Sequence, residues 1–344
     1  MEKTRLILHA PNIHVGGGFV LIQELVSVHS LPIKWAQLDE RIKNTLQISH
    51  SIPQYYVRRS VFSRFFAELR LWRNVLDNDL VLCFHGLPPL FYLSGRVEIF
   101  VQNRILVEKK RPRGYPFRTK LRIGFERFLL RATHRNNYRY IVQTPSMAIA
   151  VRKTLGKKIK IRCLPFIASS TLLSNSVITK ATKRFDFVYV ASGDAHKNHR
   201  MLLEAWRLLA DAGLRPSLAL TVDRTTFPVI SEKISNFTKK FSLNINNLGQ
   251  LSSGELSNLY HSTSALIYPS KMESFGLPLI EAKYHGLPIL ASELDYVRDV
   301  VAPVETFNPD SPISIARAVR RYLGNTEPPL QVHSADEFLT EVLK

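Results

Sequence analysis

The stretch from Ser264 to Ser292 constrains the fold most. An apolar run, Ser264-Ala-Leu-Ile-Tyr-Pro269, leads into Ser270-Lys-Met-Glu273-Ser-Phe-Gly-Leu-Pro-Leu-Ile-Glu281-Ala, and a second apolar run, Leu287-Pro-Ile-Leu-Ala-Ser292, follows. Short, continuously apolar runs of this kind are strands buried on both faces. Between them there is room for one turn and one helix, and Pro278 suits the first turn of that helix. Strand, helix, strand in so short a span predicts a parallel pair in an α/β sheet.

The same alternation recurs along the chain. Leu6–Ala10, Leu80–Phe84, Val97–Val101 and Tyr140–Thr144 read as strands of the first half, with helices predicted from Phe19 to Ser27 and from Pro145 to Arg152. Gly16-Gly17-Gly18 reads as a loop between the first strand and the first helix. In the second half, strands are predicted at Phe185–Ala191, Ser217–Val222 and Ile245–Gly249, and helices at about Asn198–Ala212, within Thr225–Phe241, and at Ser253–His261, where Ser253 is a plausible cap. The expectation is two doubly wound, Rossmann-like α/β domains facing a cleft. The first spans 1–168 and the second 169–332, and a C-terminal helix at about 333–344 packs back on the first domain. The join lies between Cys163 and Lys183, a Ser-rich stretch with little charge.

Composition limits the functional class. The chain has 344 residues, ample for two cores, and only two cysteines, which support neither a disulfide framework nor a zinc site. The N-terminal apolar stretch is shorter than the about 7–15 residues of a signal peptide, and no run reaches the about 20 residues of a membrane span. The expected location is cytoplasmic, at most peripheral on a membrane. The formal charge of +19 is uneven. Residues 1–170 hold 29 Lys+Arg and 10 Asp+Glu, whereas residues 171–344 hold 18 of each. An anionic partner of the first half accounts for this, and so does a solvated basic surface.

The chemistry concentrates where strands end. In an open α/β sheet, ligands bind at the carboxyl ends of strands, where helices begin. Glu273 and Glu281 flank such a helix start. Gly276 lets backbone approach closely, and amides near Phe275, Gly276 and Leu277 favour an anion. Carboxylates would repel a phosphate, so hydroxyls of a sugar or a ribose are their natural partners. Lys197, in Ser192-Gly-Asp-Ala-His-Lys197-Asn198, follows a strand and precedes a helix, a place for a pyrophosphate. Gly16-Gly17-Gly18 does not follow the dinucleotide Gly-x-Gly-x-x-Gly spacing. It serves as a permissive turn or as a point of close backbone approach to a ligand. Asp77-Asn-Asp79 precedes a strand and is better explained by turn chemistry, so no metal is assigned to it.

Taken together, these elements resemble the retaining GT-B glycosyltransferases of family 4, the group 1 type that includes bacterial O-antigen and capsule enzymes. The resemblance is strongest from Phe185 to Val301, through the Lys197-Asn198 region and the Glu-x7-Glu signature of Glu273 and Glu281. It implies that Glu273 contacts donor-sugar hydroxyls, and that the backbone at Ser274, Phe275, Gly276 and Leu277 contacts the sugar and distal phosphate. It further implies that Lys197 neutralises the pyrophosphate, that Glu281 holds the ribose, and that Gly249-Gln250 lie near the base. Gly17 and Gly18 would approach the donor from the first domain. The family keeps the anomeric configuration, uses no metal and needs no cofactor beyond the nucleotide diphosphate-sugar. Two departures stand out. Ser192 occupies the approximate place of a frequent arginine. A histidine near the reacting carbon corresponds either to His85 or to the segment Gln102-Asn103-Arg104.

The acceptor side is carried by charge. Residues 104–139 hold 12 Lys+Arg and two acids, and Phe117, Leu121, Phe125, Phe128 and Leu129 recur there at helical spacing. Such a helix lies at a membrane interface or packs on a sheet with a basic outer face. The expected activity is transfer of a hexose-type sugar from a nucleotide diphosphate-sugar to a lipid-linked glycan at the anionic inner leaflet, in bacterial surface-polysaccharide (lipopolysaccharide O-antigen or capsule) synthesis. A non-catalytic nucleotide-sugar-binding subunit and a basic nucleic-acid-binding protein are the alternatives. The latter lacks RNA-binding aromatics, zinc spacing and a phosphate-binding lysine loop, so nucleic acid is not expected as a partner.

Overall fold

The computed structural model describes residues 5–28, 33–49, 52–108, 114–167, 183–326 and 334–335. Two all-parallel sheets organise them. The first contains β1 (Arg5–Ala10), β2 (Ile33–Asp39), β3 (Gln54–Val57), β4 (Asp79–Cys83), β5 (Arg96–Phe100), β6 (Arg139–Val142) and β7 (Lys160–Cys163), in spatial order β3-β2-β1-β4-β5-β6-β7. The second contains β8 (Phe185–Tyr189), β9 (Leu218–Leu220), β10 (Ile245–Asn247), β11 (Thr263–Tyr268), β12 (Ile289–Ser292) and β13 (Glu305–Phe307), in order β10-β9-β8-β11-β12-β13. Helices cover the faces, as parallel sheets require.

In the second sheet the strand order reverses between β8 and β11, which pair directly from Thr263 with Phe185 to Leu266 with Val188. Their apolar side chains are buried, which is why both strands read clearly from sequence. Helix α6 (His199–Asp211) turns Leu202, Trp206 and Leu209 inward, and the Trp206 ring meets Phe187 edge-on. In chain order, the other helices before α6 are α1 (Gly16–Ser27), α2 (Val61–Asn74), α3 (Arg104–Val107), α4 (Phe117–Ala132) and α5 (Pro145–Leu155). After it come α7 (Pro228–Lys240), α8 (Ser253–His261), α9 (Leu277–Tyr284), α10 (Asp295–Arg298) and α11 (Pro312–Tyr322).

Several local expectations change. Gly16–Gly18 form the first turn of α1 rather than a loop. This turn packs closely on the second domain: a Cβ on Gly17 would stand 3.0 Å from Leu277 Cδ1. The cap of α8 is Ser252, not Ser253. Ser252 Oγ accepts from Glu255 N while Glu255 Oε2 accepts from Ser252 N at 2.8 Å, a reciprocal capping box. Asp79 opens β4, is buried, and pairs with Lys34 Nζ at 2.7 Å. Strands β2, β3, β7 and β13 and helices α2, α3, α10 and α11 are additions to the predicted set.

On α4 the apolar stripe is not packed: Phe117, Leu121, Phe125 and Phe128 are exposed, and Ile123 and Leu130 are the buried residues. The helix therefore does not use that stripe to sit on the sheet. Most of the stretch between β7 and β8, and the C-terminal helix expected at 333–344 apart from Ser334 and Ala335, lie outside the described residues.

Among the described residues, four polar contacts join the halves. Thr144 Oγ1 donates to Ser274 O at 3.1 Å, and Ser146 N donates to Asp299 Oδ2 at 2.9 Å. Arg104 Nη1 reaches Glu273 O at 3.4 Å, and the Tyr115 hydroxyl meets His196 Nδ1 at 2.6 Å.

Within the second half, Gly193 is the tightest point of the loop after β8. A Cβ there would lie 2.5 Å from Ile230 Cγ2 and 2.6 Å from Phe227 Cβ. Gly193→Ala must push this loop away from α7, and it is expected to cost about 1–3 kcal/mol, the usual range for overpacking. Urea unfolding of the variant against the parent measures this; equal midpoints would show that the loop yields freely.

Candidate active site

The carboxyl ends of β8 and β11 meet at the point where strand order reverses, the place where such sheets bind ligands. The loop after β8 carries Ser192 to Lys197, and the loop after β11 carries Pro269 to Gly276. Asn198 fixes one loop to the other. It adopts a left-handed conformation (φ 65°), and its Nδ2 donates to Pro269 O at 3.0 Å and to Pro309 O at 2.7 Å. The Tyr189 hydroxyl holds Lys197 O at 2.7 Å, and His199 Nε2 meets Ser192 O at 2.8 Å.

This framework brings Lys197 and Glu273 together. Lys197 Nζ lies 2.6 Å from Glu273 Oε1. The same oxygen accepts from Ser270 Oγ at 2.6 Å and from the Tyr268 hydroxyl at 3.2 Å. Three donors thus converge on one carboxylate oxygen, and no described hydrogen bond engages Oε2. Burial pushes the Glu273 carboxyl up, but the Lys197 charge, His196 and the hydrogen bonds more than offset that and leave it below its ordinary value. The group is an anion with one oxygen occupied and the other available to hydroxyl donors.

Glu281 is in a different state. It lies on α9 and accepts from the Tyr260 hydroxyl at 2.8 Å. Burial raises its pKa, and the Tyr260 hydrogen bond opposes the rise only partly. Gly276 caps the start of helix α9, and its φ of 78° is one that a residue with a side chain would adopt only under strain. Pro278 follows in the first turn.

The remaining predicted residues fall into four groups. Gly17 abuts Leu277, so it reaches the start of α9 from the first domain, and Gly18 stands against Gln102. Ser192 Oγ donates to Asp194 Oδ2 at 2.7 Å. Gly249 (φ 79°) and Gln250 follow β10 at the sheet edge, two strands from β8. A cavity of about 850 Å³ lies between the halves, lined by Gln102, Arg104 and Tyr115 on one side and by Gly193, His196 and Glu273 on the other. His85 is not among its lining residues. It packs edge-on against His9, which bonds to Glu68 Oε1 at 3.2 Å, and burial next to His9 pulls its pKa down to about 3. Of the two places considered for a first-domain residue near the cleft, the Gln102–Arg104 segment is the one that faces it.

Ser270, Tyr268 and Tyr260 were not singled out from sequence. Ser270 sits in the quoted segment beside Glu273, but hydroxyl directions are set by tertiary packing. Tyr260 comes from α8, twenty-one residues before Glu281.

Residues 174–335 match the family described as glycosyl transferases group 1. This part of the chain is a group 1 glycosyltransferase domain. Over 284 residues the chain is 24% identical to the O-antigen chain mannosyltransferase RfbU of Salmonella typhimurium, spanning 81% of this chain and 73% of that protein. It is 31% identical over 116 residues to O-antigen chain mannosyltransferase B of Escherichia coli, which is 33% of this chain but 30% of that protein. In structure it resembles sucrose-phosphate synthase from Thermosynechococcus elongatus, with a TM-score of 0.67 at 16% identity over 94% of this chain and 90% of the other. The lipopolysaccharide outer core galactosyltransferase WaaB superposes with a TM-score of 0.63 at 12% identity over 94% and 91%. These two superpositions show that the chain has the GT-B fold.

Removing one partner of a buried ion pair leaves the other charge uncompensated, at a cost of about 3 kcal/mol. A depressed carboxylate contributes its stability above the unfolded pKa, and loses it as pH falls through the folded pKa. Lys197→Met should therefore destabilise the protein by about 3 kcal/mol at neutral pH, and by progressively less in acid as Glu273 takes up a proton. Glu273→Gln added to Lys197→Met should restore most of the loss. Urea unfolding across this pH range tests it, and a pH-independent deficit would contradict the pairing.

Proposed function

We propose that this glycosyltransferase moves a hexose-type sugar from a nucleotide diphosphate-sugar to a lipid-linked glycan in bacterial surface-polysaccharide synthesis, with retention of the anomeric configuration. The observation that carries the donor half is the Lys197–Glu273 pair at the strand-order reversal, with α9 starting four residues further on. The names of the O-antigen mannosyltransferase relatives make mannose the first sugar to try.

In this reading the diphosphate lies between the start of α9 and Lys197. Glu273 Oε2 accepts from sugar hydroxyls, and Ser274 to Leu277 line the sugar and distal phosphate through backbone. Glu281 accepts from the ribose, and Gly249-Gln250 lie by the base. Gly17 and Gly18 close from the first domain, and Ser192, tied to Asp194, leaves Lys197 as the main side-chain cation for the phosphates. The acceptor hydroxyl oxygen attacks the anomeric carbon on the face from which the nucleotide leaves. The carbon–oxygen bond to phosphate breaks, and the hydroxyl proton passes to the departing phosphate. The products are a glycoside and a nucleoside diphosphate. Lys197 and the α9 amides stabilise the charge that develops on the leaving group, so the reading calls for no metal and no further cofactor. Arg104 and Gln102 face the cleft where the acceptor would approach.

The charge excess of the first half and the exposed aromatic stripe of α4 support an acceptor held at the anionic inner leaflet, with the protein cytoplasmic and peripheral. No helix among the described residues is long and apolar enough to cross a membrane.

Lys197→Ala and Glu281→Ala should each lower turnover at least about 100-fold, the scale for loss of preorganised charge stabilisation. Release of nucleoside diphosphate with lipid-linked acceptor reads this, after a thermal-shift screen of UDP-, GDP-, ADP- and dTDP-sugars has found the donor. Near-normal turnover in both variants would refute the assignment. Donor affinity should also weaken in acid as Glu281 protonates, above the ordinary carboxylate range. Tyr260→Phe removes the bond that lowers that pKa, so the acid limb should move to higher pH; a limb unmoved in titration calorimetry would remove Glu281 from the donor site.

A further inference from the structure

Helix α2 is built inside out. Its buried side consists of Ala67, Glu68 and Leu71. Its outer side carries Val61, Phe62, Phe65, Phe66 and Trp72, all exposed, with Phe62 at 79% and Phe66 at 61%. The spacing i, i+1, i+4, i+5, i+11 puts them on one broad face of a helix. Phe91 extends the patch, touching the Phe65 and Trp72 rings edge-on or tilted, with Tyr92 exposed beside it. A soluble surface rarely leaves so many aromatics together in water.

The surroundings are basic. Arg58 and Arg59 precede the helix, and Arg64, Arg70 and Arg73 lie on it, while its one acid, Glu68, is buried against His9. Arg64 binds Asn12 and lies within the electrostatic reach of Glu126 and Arg122 on α4, so the two helices border the same end of the cleft. On α4, Thr119, Ile123 and Glu126 line the cavity. Phe117, Leu121, Phe125 and Phe128 stand on its opposite side, Phe117 at 74% exposure and Phe125 at 60%.

We propose that the outer faces of α2 and α4 form one docking surface for an anionic bilayer, with the aromatics at headgroup depth and the arginines on lipid phosphates. Charge decides the occupant. A second copy of this chain would bring arginines against arginines, whereas an anionic leaflet neutralises them and accepts the aromatic rings. A lipid-linked acceptor anchored in that bilayer then meets the cleft across one helix, about 10 Å. The surface deepens the acceptor class proposed above and rests on that reading.

The test uses the full chain. Of the three tryptophans, Trp35 and Trp206 are buried and Trp72 is exposed. Phosphatidylcholine vesicles containing phosphatidylglycerol should float the protein and shift Trp72 emission to the blue, while pure phosphatidylcholine should do neither. Phe62→Ser with Phe66→Ser should weaken vesicle binding at least about tenfold, since each removes a large apolar group from the contact. Arg59→Gln and Arg73→Gln should weaken it about fivefold each. Donor-induced thermal shift should remain unchanged in all of them, which separates lost docking from lost folding. Equal binding to both vesicle types, binding undiminished in the phenylalanine variant, or a vesicle-free dimer dispersed by that variant would overturn the proposal. If flotation behaves as expected but no lipid-linked acceptor is glycosylated, the acceptor reading falls and the docking surface stands.

Discussion

The ion pair between Lys197 and Glu273 is the interaction on which the site depends. A carboxylate this deep would not stay charged without a cation beside it, and a lysine at the end of β8 would not hold one conformation without an acceptor. The pair is positioned by the loops at two strand ends and by side-chain hydrogen bonds that hold them. Asn198 binds the carbonyls of Pro269 and Pro309, Tyr189 holds the carbonyl of Lys197, and Ser270 and Tyr268 complete the carboxylate shell. The pair is therefore preorganised, and in the proposed reading a donor would exchange one set of charge contacts for another without first building them.

The two glutamates show how one helix start gives like groups unlike properties. Glu273 sits in the loop before α9, where Lys197 outweighs burial and keeps it ionised. Glu281 is carried further along the helix, beyond reach of that cation, and has only a tyrosine hydroxyl to oppose burial. The seven residues between them in sequence are enough to move a carboxylate from one electrostatic regime to another.

Much of this was legible in the sequence because the strands that carry the site are buried on both faces. The apolar runs of β8 and β11 are unbroken, so their ends, and with them Lys197 and Glu273, could be located. The hidden parts broke pattern rules. Strand β2 includes the buried Gln37, which bonds to His9, so its apolar run is interrupted. Strand β7 is an edge strand with exposed residues. Helix α2 turns its apolar side outward, the reverse of what periodicity alone implies. The Gly-rich turn could be read as flexible, but its close approach to Leu277 belongs to the meeting of two domains, which no local pattern encodes.

The contact between Tyr115 and His196 has a bearing on how the halves respond to their surroundings. Burial raises the pKa of the tyrosine and lowers that of the histidine, so the bond joins two neutral groups at ordinary pH. Neutral pairs are little affected by dissolved ions, whereas attraction between arginines and anionic lipid fades with ionic strength. On the docking surface proposed above, salt should release the protein from an anionic bilayer while leaving the Tyr115–His196 bond in place, making ionic strength a control of where the protein sits.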